Sequence, residues 1–381
     1  MEFKRLDEII DFNPIETLKK GTLYKKISMD KLNNFNKYIN EFEYAKYSGG
    51  MKFRNGDTLL ARITPCLENG KTSKVSILEN GEIGFGSTEY IVMRSKKDVS
   101  DEDYIFYLAI SPEFRNIAIK SMTGTSGRQR VQLDVVRNTE MLVPNYQEQV
   151  KIGRILSAFD KKIKINTQTN DNLYEMMNIK FEDWITNLNK YEVSSLSKIA
   201  KYTNGLTMQK FRPKDNEESL PVIKIKEMND GITENTERCS TNIKDEVIIN
   251  NGDVLFAWSG TLCMSIWGKG KAGLNQHIFK VTSDKYPKWF YYFWTLKHLN
   301  RFKMIAAGKA TTMGHIKRGE LDISEVLIPK NKELQEMHKI MQPLFNKYIN
   351  NLIQNETLTQ LRDTLLPKLM NGEIDLDKIK I

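Results

Sequence analysis

The sequence is poor in cysteine, poor in histidine and without a long hydrophobic run. Its three cysteines are odd in number and widely scattered, which argues against a disulfide framework and a structural zinc site. Its four histidines show no metal-ligand spacing, so we expect no metal site. No apolar run approaches the roughly 18 residues of a membrane span, and Met1 to Arg5 lack the apolar segment of a signal peptide. These shortages predict a cytoplasmic protein.

Catalytic motifs are also missing. The nearest one is residues 65–72, PCLENGKT, which differ from a phosphate-binding P-loop in having Pro65 in place of the first glycine. Pro65 lacks an amide donor and the freedom to turn the other amides toward a phosphate. A DNA methyltransferase would need a glycine-rich cofactor loop and an Asn-Pro-Pro-aromatic motif, whereas this chain has only Asn13-Pro14. We expect a chain that is not an enzyme and binds no cofactor; a divergent nucleotide hydrolase is one alternative.

Charge is the first positive signal. Lysine and arginine number 57 against 48 aspartates and glutamates, which gives a net charge of +9. This balance favours a polyanionic partner, with nucleic acid as the first candidate. The length of 381 residues allows two or three domains, each with its own core.

The sequence repeats itself at an interval of about 185 to 195 residues. The matched segments keep their order: residues 5–10 with 195–200, 55–61 with 251–257, 104–108 with 289–293, and 131–144 with 316–329. Copies of this length are too long to be the units of a solenoid. We therefore predict two homologous globular domains of the α+β class, with short strands in curled, mainly antiparallel sheets.

Each predicted domain is followed by a long helix. Residues 147–188 contain no proline and one glycine, and their apolar residues recur at the intervals of a coiled-coil seam, as do those of residues 332–369. We expect an antiparallel pair of long coiled-coil helices that separates the two domains with internal pseudo-twofold symmetry. The asparagines of the seam either fix its register or face solvent. The seam positions are Ile152, Leu156, Phe159, Ile163, Asn166, Asn170, Leu173, Leu344, Asn351, Asn355, Leu358, Leu361 and Leu365.

These patterns divide the chain into five segments. They are a first globular domain at residues 1–144, a first long helix at 145–190, a second globular domain at 191–329, a second long helix at 330–372 and a C-terminal tail at 373–381. A rigid spacer with a domain at each end suits a target that has two halves.

Two equivalent loops carry the chemistry best suited to nucleic acid. Residues 124–130, GTSGRQR, precede Val131, and residues 308–315, GKATTMGH, precede Ile316. Arg128 and Arg130 can each fork onto a guanine, and Gln129 onto an adenine. The alternative is that the glycines make a tight turn and the arginines pair with nearby acids. Because the loops match in position and differ in side chains, we expect the two domains to read different sequences.

Further candidate DNA contacts lie in an exposed basic loop predicted around residues 65–74 and in a polar, glycine-rich stretch around residues 269–277. The predicted contacts are Arg62, Lys71, Thr72, Lys74, Arg128, Gln129, Arg130, Lys269, Lys271, Gln276, Lys309, Thr311, Thr312, His315 and Lys317.

Several segments carry a family resemblance. They are the Asn-Gly-Asp strand starts at Asn55 and Asn251, residues 62–72 (RITPCLENGKT), the helix entries 143–149 (VPNYQEQ) and 327–329 (LIP), and most specifically residues 355–374 (NETLTQLRDTLLPKLMNGEI). Over essentially its whole length, the chain resembles the DNA specificity (S) subunits of type I restriction-modification systems.

The resemblance implies a non-catalytic subunit with two target-recognition domains, each reading one half of a bipartite sequence in double-stranded DNA. In this family the helical pair sets the gap between the halves and docks two S-adenosylmethionine-dependent methyltransferase (M) subunits. Two restriction (R) subunits, which are translocases and nucleases that use ATP and Mg²⁺, complete the restriction enzyme. A coiled-coil adaptor that joins proteins without reading DNA is the remaining alternative.

Overall fold

The computed structural model describes residues 1–308 and 314–378, apart from the side chain of Asp377. Contacts divide the chain into two units: unit 1 comprises Met1–Lys162 and Leu358–Ile381, and unit 2 comprises Ile163–Thr357. Within the described ranges, no helix combines the length and the hydropathy needed to cross a membrane.

Short strands and short helices form the first part of unit 1. The strands are β1 (Glu2–Arg5), β2 (Ile10–Phe12), β3 (Leu23–Ile27), β4 (Glu43–Lys46), β5 (Lys52–Phe53), β6 (Thr58–Ala61), β7 (Thr72–Lys74), β8 (Gly84–Gly86), β9 (Tyr90–Ser95) and β10 (Glu140–Val143). The short helices are α1 (Leu6–Ile9), α2 (Glu102–Ile110), α3 (Pro112–Lys120) and α4 (Leu133–Asn138). The first long helix, α5 (Tyr146–Thr186), follows.

Two four-stranded sheets make up most of unit 1. The first has the strand order β2-β9-β6-β7 and is antiparallel. The second has the order β4-β3-β8-β5, in which β3 and β8 are parallel. Strand β1 pairs with β10, which directly precedes α5. Because side chains alternate along a strand, Leu60 of β6 enters the core cluster that contains α2, while its neighbour Leu59 enters a second cluster.

Helix α2 fills the centre of unit 1. The carboxylate of Asp101 caps it by accepting hydrogen bonds from the amides of Asp103 and Tyr104, both at 3.0 Å. Tyr104, Phe106 and Tyr107 are fully buried. Large aromatic side chains bury much apolar area each, so this helix supplies a large share of the core.

Unit 2 repeats this arrangement. Its strands are β11 (Tyr191–Ser195), β12 (Lys201–Asn204), β13 (Ser219–Ile223), β14 (Arg238–Ser240), β15 (Ile248–Ile249), β16 (Val254–Ala257), β17 (Cys263–Ile266), β18 (Ala272–Leu274), β19 (Ile278–Thr282) and β20 (Glu325–Pro329). Its short helices are α6 (Leu196–Ile199), α7 (Ile225–Asp230), α8 (Lys288–Ala307) and α9 (Gly319–Asp322), and the second long helix is α10 (Asn331–Met370).

The sheets of unit 2 match those of unit 1 in order and direction. They are β12-β19-β16-β17, β14-β13-β18-β15 with β13 parallel to β18, and the antiparallel pair of β11 with β20. Helix α8 takes the place of α2, with Trp289, Phe290 and Phe293 at most 1% exposed. The predicted mixture of helices with mainly antiparallel sheets is therefore confirmed, and the aromatic repeat of the sequence lies at the centre of both cores.

The long helices contact each other in an antiparallel sense within each unit. In unit 1, Asp160 of α5 accepts a 2.5 Å hydrogen bond from Arg362 of α10, and both side chains are at most 6% exposed. The hydroxyl of Tyr107 donates to the other carboxylate oxygen of Asp160. A buried charge is tolerated only when it is paired and hydrogen-bonded, so this contact specifies how the two segments meet.

Asparagines make the corresponding contacts in unit 2. Asn351 donates to the side-chain oxygen of Asn170 at 2.9 Å, and Asn170 donates to the carbonyl of Tyr348 at 3.1 Å. Asn166 donates to Gln354 at 2.8 Å and to Asn355 at 2.9 Å. Asn166, Asn170 and Asn351 are buried. The solvent-facing alternative is therefore wrong for these three residues, and buried polar pairs of this kind favour one register.

The predicted seam is wrong at Leu361, whose side chain is 47% exposed. The next residue, Arg362, takes the buried position because Asp160 neutralises it. Leu358 and Leu365 are half-buried, and Leu366 and Leu369 are the buried leucines of this turn. The other seam residues of α5, from Ile152 to Leu173, are buried or half-buried.

Replacing Asn351 with leucine should lower the free energy of unfolding of unit 2 by about 1–3 kcal/mol, because the buried carbonyl oxygen of Asn170 loses its donor. Urea unfolding followed by tryptophan fluorescence measures this, since all five tryptophans lie in unit 2. The exposed neighbour Asn350 provides the control, and Asn350→Leu should change stability by less than about 0.5 kcal/mol. Equal effects of the two variants would contradict a polar seam.

Candidate nucleic-acid interface

The loop of residues 124–130 lies beside the end of strand β6. The backbone hydrogen bonds of the sheet continue beyond that strand. The amide of Arg62 donates to the carbonyl of Glu89 at 2.9 Å, and the carbonyl of Arg62 accepts from the amide of Val131 at 2.9 Å. The amide of Thr64 donates to the carbonyl of Gln129 at 3.0 Å. The central sheet thus holds the loop at both Gln129 and Val131.

The loop itself is a tight, glycine-dependent turn. Thr123 and Arg130 exchange backbone hydrogen bonds of 3.0 and 2.9 Å, and the amide of Arg128 donates to the carbonyl of Thr125. Gly124 and Gly127 have φ values of +130° and +77°, which other residues rarely adopt. Arg128 is exposed at the tip, where its guanidinium can reach a ligand.

Arg130 is paired with an acid. Its guanidinium binds both carboxylate oxygens of Glu89, with a shortest distance of 2.7 Å, and Glu89 raises the pKa of Arg130. Of the two interpretations of this arginine, the structure favours pairing with a nearby acid. Arg130 therefore has to leave Glu89 before it can fork onto a guanine.

The prediction of an exposed basic loop is wrong for Thr72 and Lys74. Both residues belong to β7, and they are 0% and 8% exposed. Lys74 donates to Glu102 at 2.7 Å and to Asp103 at 2.5 Å, because β7 packs beside the acidic start of α2. Lys71 is half-buried and donates to the carbonyl of Met29 at 2.7 Å. Lys71 and Lys74 therefore satisfy partners inside unit 1, and the hydroxyl of Thr72 is buried in the sheet without a hydrogen-bond partner among the described residues.

The same segment lacks the geometry of a phosphate loop. Its amides are used internally, with Leu67, Asn69 and Lys71 donating to carbonyls within residues 63–66 at 2.9–3.0 Å. The residues after Lys71 form strand β7, whereas a P-loop opens a helix whose first amides cradle the phosphates. The segment therefore offers no nest of free amides to a nucleotide.

In unit 2 the described residues that follow the equivalent loop are held in the same way. The amide of Trp258, the residue after β16, donates to the carbonyl of His277, and the carbonyl of Trp258 accepts from the amide of Ile316, both at 3.2 Å. Ser259 and His315 form a bridge like that of Ile63 and Arg130. Lys317 follows the loop and is exposed. The predicted contacts Lys309, Thr311 and Thr312 lie outside the described residues.

The glycine-rich stretch of unit 2 is a tight connection between β17 and β18. The Trp267 indole donates to the carbonyl of Gly270 at 2.6 Å, and the amide of Gly270 donates to Asn251 at 2.7 Å. Lys271 is exposed, while Lys269 is half-buried.

Gln276 lies directly before β19 and next to His277. Its side-chain oxygen accepts a hydrogen bond from Thr207, and its amide nitrogen lies 3.2 Å from His277 Nε2. Of the predicted contacts of unit 2, Gln276 and His315 therefore lie near Trp258 and His277.

Sequence reasoning missed Glu89 and His277. They occupy equivalent positions, directly before β9 and β19, and each accepts the amide of the residue that follows the central strand. Aligning the strand starts at Tyr90 and Ile278 would have revealed the pair. Within residues 1–308 and 314–378, no group of three or more His, Cys, Asp or Glu side chains is arranged to hold a metal ion.

Two matched mixed α/β units carry different polar side chains at corresponding positions after their central strands, Arg62 in unit 1 and Trp258 in unit 2, which is typical of a protein that recognises a ligand by specific contacts. The model of the family described as type I restriction modification DNA specificity domain matches residues 1–175 and 189–360, so the chain belongs to that family. Its members are non-catalytic specificity subunits, and the role of the chain is DNA sequence recognition.

Curated relatives and a solved structure are consistent with membership of this family. The chain is 23% identical to the type I restriction enzyme MjaIX specificity subunit of Methanocaldococcus jannaschii, over 74% of this chain and 71% of that one. It is 21% identical to the HindI specificity subunit of Haemophilus influenzae, over 84% and 87%. The crystal structure of a type I restriction-modification S subunit from M. genitalium has a TM-score of 0.56 at 13% identity, covering 97% and 96%, which shows a shared fold.

Proposed function

We propose that this chain selects a bipartite DNA target, with unit 1 reading one half-site and unit 2 the other. The observation that carries the proposal is the contrast between matched backbones and unmatched side chains. Arg62, Glu89 and Arg130 of unit 1 have Trp258, His277 and His315 as their counterparts in unit 2. A scaffold duplicated in this way, with different hydrogen-bonding groups on each copy, suits two unlike half-sites.

Exposed cations of both units supply the sequence-independent part of binding. Arg128 lies at the loop tip in unit 1, and Lys271 and Lys317 are exposed in unit 2. Contacts of this kind to phosphates position a protein on the duplex and make its affinity fall steeply with salt. Neither the adaptor nor the hydrolase alternative accounts for this set of residues.

The long helices set the number of unspecified base pairs between the half-sites. Their register is specified in unit 1 by Asp160 and Arg362 and in unit 2 by the asparagine contacts. Half-sites about one helical turn apart, roughly 34 Å, present the same face of the duplex, and a helical strut of fixed length enforces that spacing.

We assign the first target-recognition domain to residues 1–144 and the second to 191–329. Two such domains suit two M subunits, which use S-adenosylmethionine and extrude the target adenine from the duplex, and two R subunits, which use ATP and Mg²⁺. Cytoplasmic DNA is the target.

Whole-genome mapping of methyladenine tests the assignment in cells with and without the chain. A bipartite motif should lose methylation on deletion, and exchange of residues 1–144 for those of a relative should change one half only.

Lengthening both helices should widen the gap of the methylated motif. Seven residues inserted between Lys162 and Ile163 and seven between Thr357 and Leu358 keep the heptad phase where the two units divide. Two added turns amount to about 10 Å, or about three base pairs, so the motif should keep both halves and gain about that many unspecified positions.

The single insertions are the control for this prediction. An insertion in only one helix puts the two seams out of step and should abolish methylation. An unchanged gap in the doubly lengthened chain would show that the helices do not set the spacing.

A further inference from the structure

An unpaired, buried N–H group occurs at the same backbone position in both units. The position is the first residue after the central strand, Arg62 after β6 and Trp258 after β16. In the described part of the chain, neither Arg62 Nε nor Trp258 Nε1 has a hydrogen-bond partner, and both atoms are buried. The two residue types are unlike, yet both present a donor that has nothing to bind.

The side chains that surround Arg62 in unit 1 also differ from those that surround Trp258 in unit 2. In unit 1, Arg62 uses one terminal nitrogen to donate to the carbonyl of Val131 at 3.3 Å. In unit 2, the Trp258 ring stacks on Phe279 with centroids 5.6 Å apart and lies 6.0 Å from the His277 ring. His277 Nδ1 is a second buried atom that has no partner among the described residues. Among the described residues, this place in unit 2 therefore has two unpaired polar atoms, and the equivalent place in unit 1 has one.

Buried donors without partners are rare in native proteins, and each one calls for an explanation such as a bound water or a ligand. Arg62, Trp258 and His277 as whole residues are half-buried, so part of each side chain lies at the surface and its unpaired atom lies just beneath. Arg62 lies beside residues 129–131 of unit 1, and Trp258 lies beside His315 and Ile316 of unit 2. A ligand that enters the sheet at this position would meet these donors.

We propose that Arg62 in unit 1, and Trp258 with His277 in unit 2, are specificity-determining residues that hydrogen-bond to base edges. The inference rests on the proposed function and deepens it. Guanidinium and indole nitrogens are donors only, so Arg62 and Trp258 select acceptors, namely purine N7, guanine O6 or thymine O4 in the major groove. The ring of His277, which is donor or acceptor according to its tautomer, selects the base next to the one that Trp258 binds.

The test uses the complete complex in cells, with methyladenine mapped by single-molecule sequencing. Trp258→Phe keeps an aromatic ring and removes the N–H, and Arg62→Met keeps the aliphatic stem and removes the guanidinium. Each variant should reduce discrimination at one position of one half-site by about 5- to 150-fold, which is what the loss of one good base contact produces. Trp258→Phe and Arg62→Met should affect opposite halves, and neither should change the gap.

Trp294→Phe is the matched control. Trp294 Nε1 is also buried without a partner among the described residues, but it lies in the aromatic core of unit 2 against Phe181 and Phe290. The Trp294→Phe chain should methylate the wild-type motif. If it relaxes the same position as Trp258→Phe, the effect comes from altered packing and the inference is overturned.

Binding of the purified complex to duplexes with one substituted base pair decides the case in which a variant loses methylation altogether. Retained affinity for unspecific DNA with lost preference at one half supports the inference, and loss of both overturns it. If both variants keep the wild-type motif at the wild-type rate, the inference fails while the bipartite motif stands. If the wild-type chain determines no bipartite motif, the proposed function itself fails.

Discussion

An Asp103→Asn chain will be less stable than the wild type at pH 7 by about 3 kcal/mol, the lower end of the range for breaking a buried ion pair. Asp103 accepts hydrogen bonds from Lys37 at 2.7 Å, Lys74 at 2.5 Å and Ser157 at 2.8 Å. Lys37 and Lys74 are 5% and 8% exposed, so the substitution removes the carboxylate that pairs with Lys37 and one of the two that pair with Lys74. Urea unfolding followed by far-ultraviolet circular dichroism, at a series of pH values, measures the loss.

The pH dependence distinguishes this electrostatic cost from a packing defect. Burial alone would raise the pKa of Asp103, but Lys37 and Lys74 hold it below its ordinary value. The stabilisation that Asp103 supplies is therefore present above about pH 4 and is lost as the pH falls through its lowered pKa. Wild type and variant should converge in acid.

At basic pH, the titration of Lys37 also changes the stability of the protein. Burial lowers the pKa of Lys37 even with Asp103 present, so the unfolded chain binds the proton more tightly than the folded one. Stability therefore rises as the pH approaches the ordinary lysine value of about 10.4. Without Asp103 the pKa of Lys37 should fall further, so the variant should recover part of its loss as the pH rises toward that value.

Glu102→Gln is the matched control. Glu102 binds the same Lys74 but is 53% exposed, and an exposed ion pair contributes at most about 1 kcal/mol. A loss of stability in Asp103→Asn that is constant from pH 3 to pH 10 would contradict the buried-charge explanation.

This network also shows why part of the interface could not be predicted from the sequence. The repeated strings predicted two like units because strand starts such as Asn55-Gly56-Asp57 and aromatic helix starts are local signals. The burial of Lys74 depends on Glu102 and Asp103, 28 and 29 residues further along, and no local pattern reports it. The basic segment with Lys71 and Lys74 was therefore interpreted as an exposed loop.

The prediction of Leu361 as a residue of the helical seam was wrong for the same physical reason. Counting apolar intervals selects Leu361, yet the buried residue is Arg362, whose partner Asp160 lies 202 residues earlier in the chain. Likewise, the partner of Arg130 is Glu89, 41 residues away. Periodicity predicts which elements form and approximately which faces are apolar. It does not predict which charged residues are buried together, because that depends on contacts between distant segments.

Phe181→Ala should produce the largest loss in unit 2, about 3–5 kcal/mol, which is the usual cost of removing a buried aromatic ring. Phe181 is fully buried on α5, stacked on Phe293 with centroids 5.4 Å apart and edge-on to Trp294 at 5.4 Å. The cavity left by the ring adjoins Trp184, so tryptophan fluorescence reports both the altered environment and the unfolding midpoint.

Ile179, two residues earlier on α5, provides the control because its side chain is 63% exposed. Ile179→Ala removes apolar atoms from the same helix without opening a cavity and should change stability by less than about 0.5 kcal/mol. Comparable losses in both variants would mean that α5 is stabilised by its own turns and not by the aromatic core of unit 2.

The functional consequence follows from where Phe181 lies. It joins the first long helix to α8, the helix that carries the core of unit 2, so it fixes the DNA-reading sheet of unit 2 to the element proposed to set the gap. Loosening that contact leaves intact the side chains of both units that we propose to read bases. Methylation by a complex containing Phe181→Ala should therefore keep the bases of both half-sites and tolerate gaps one base pair longer or shorter. A motif with relaxed bases and an unchanged gap would contradict this division of roles between the sheets and the helices.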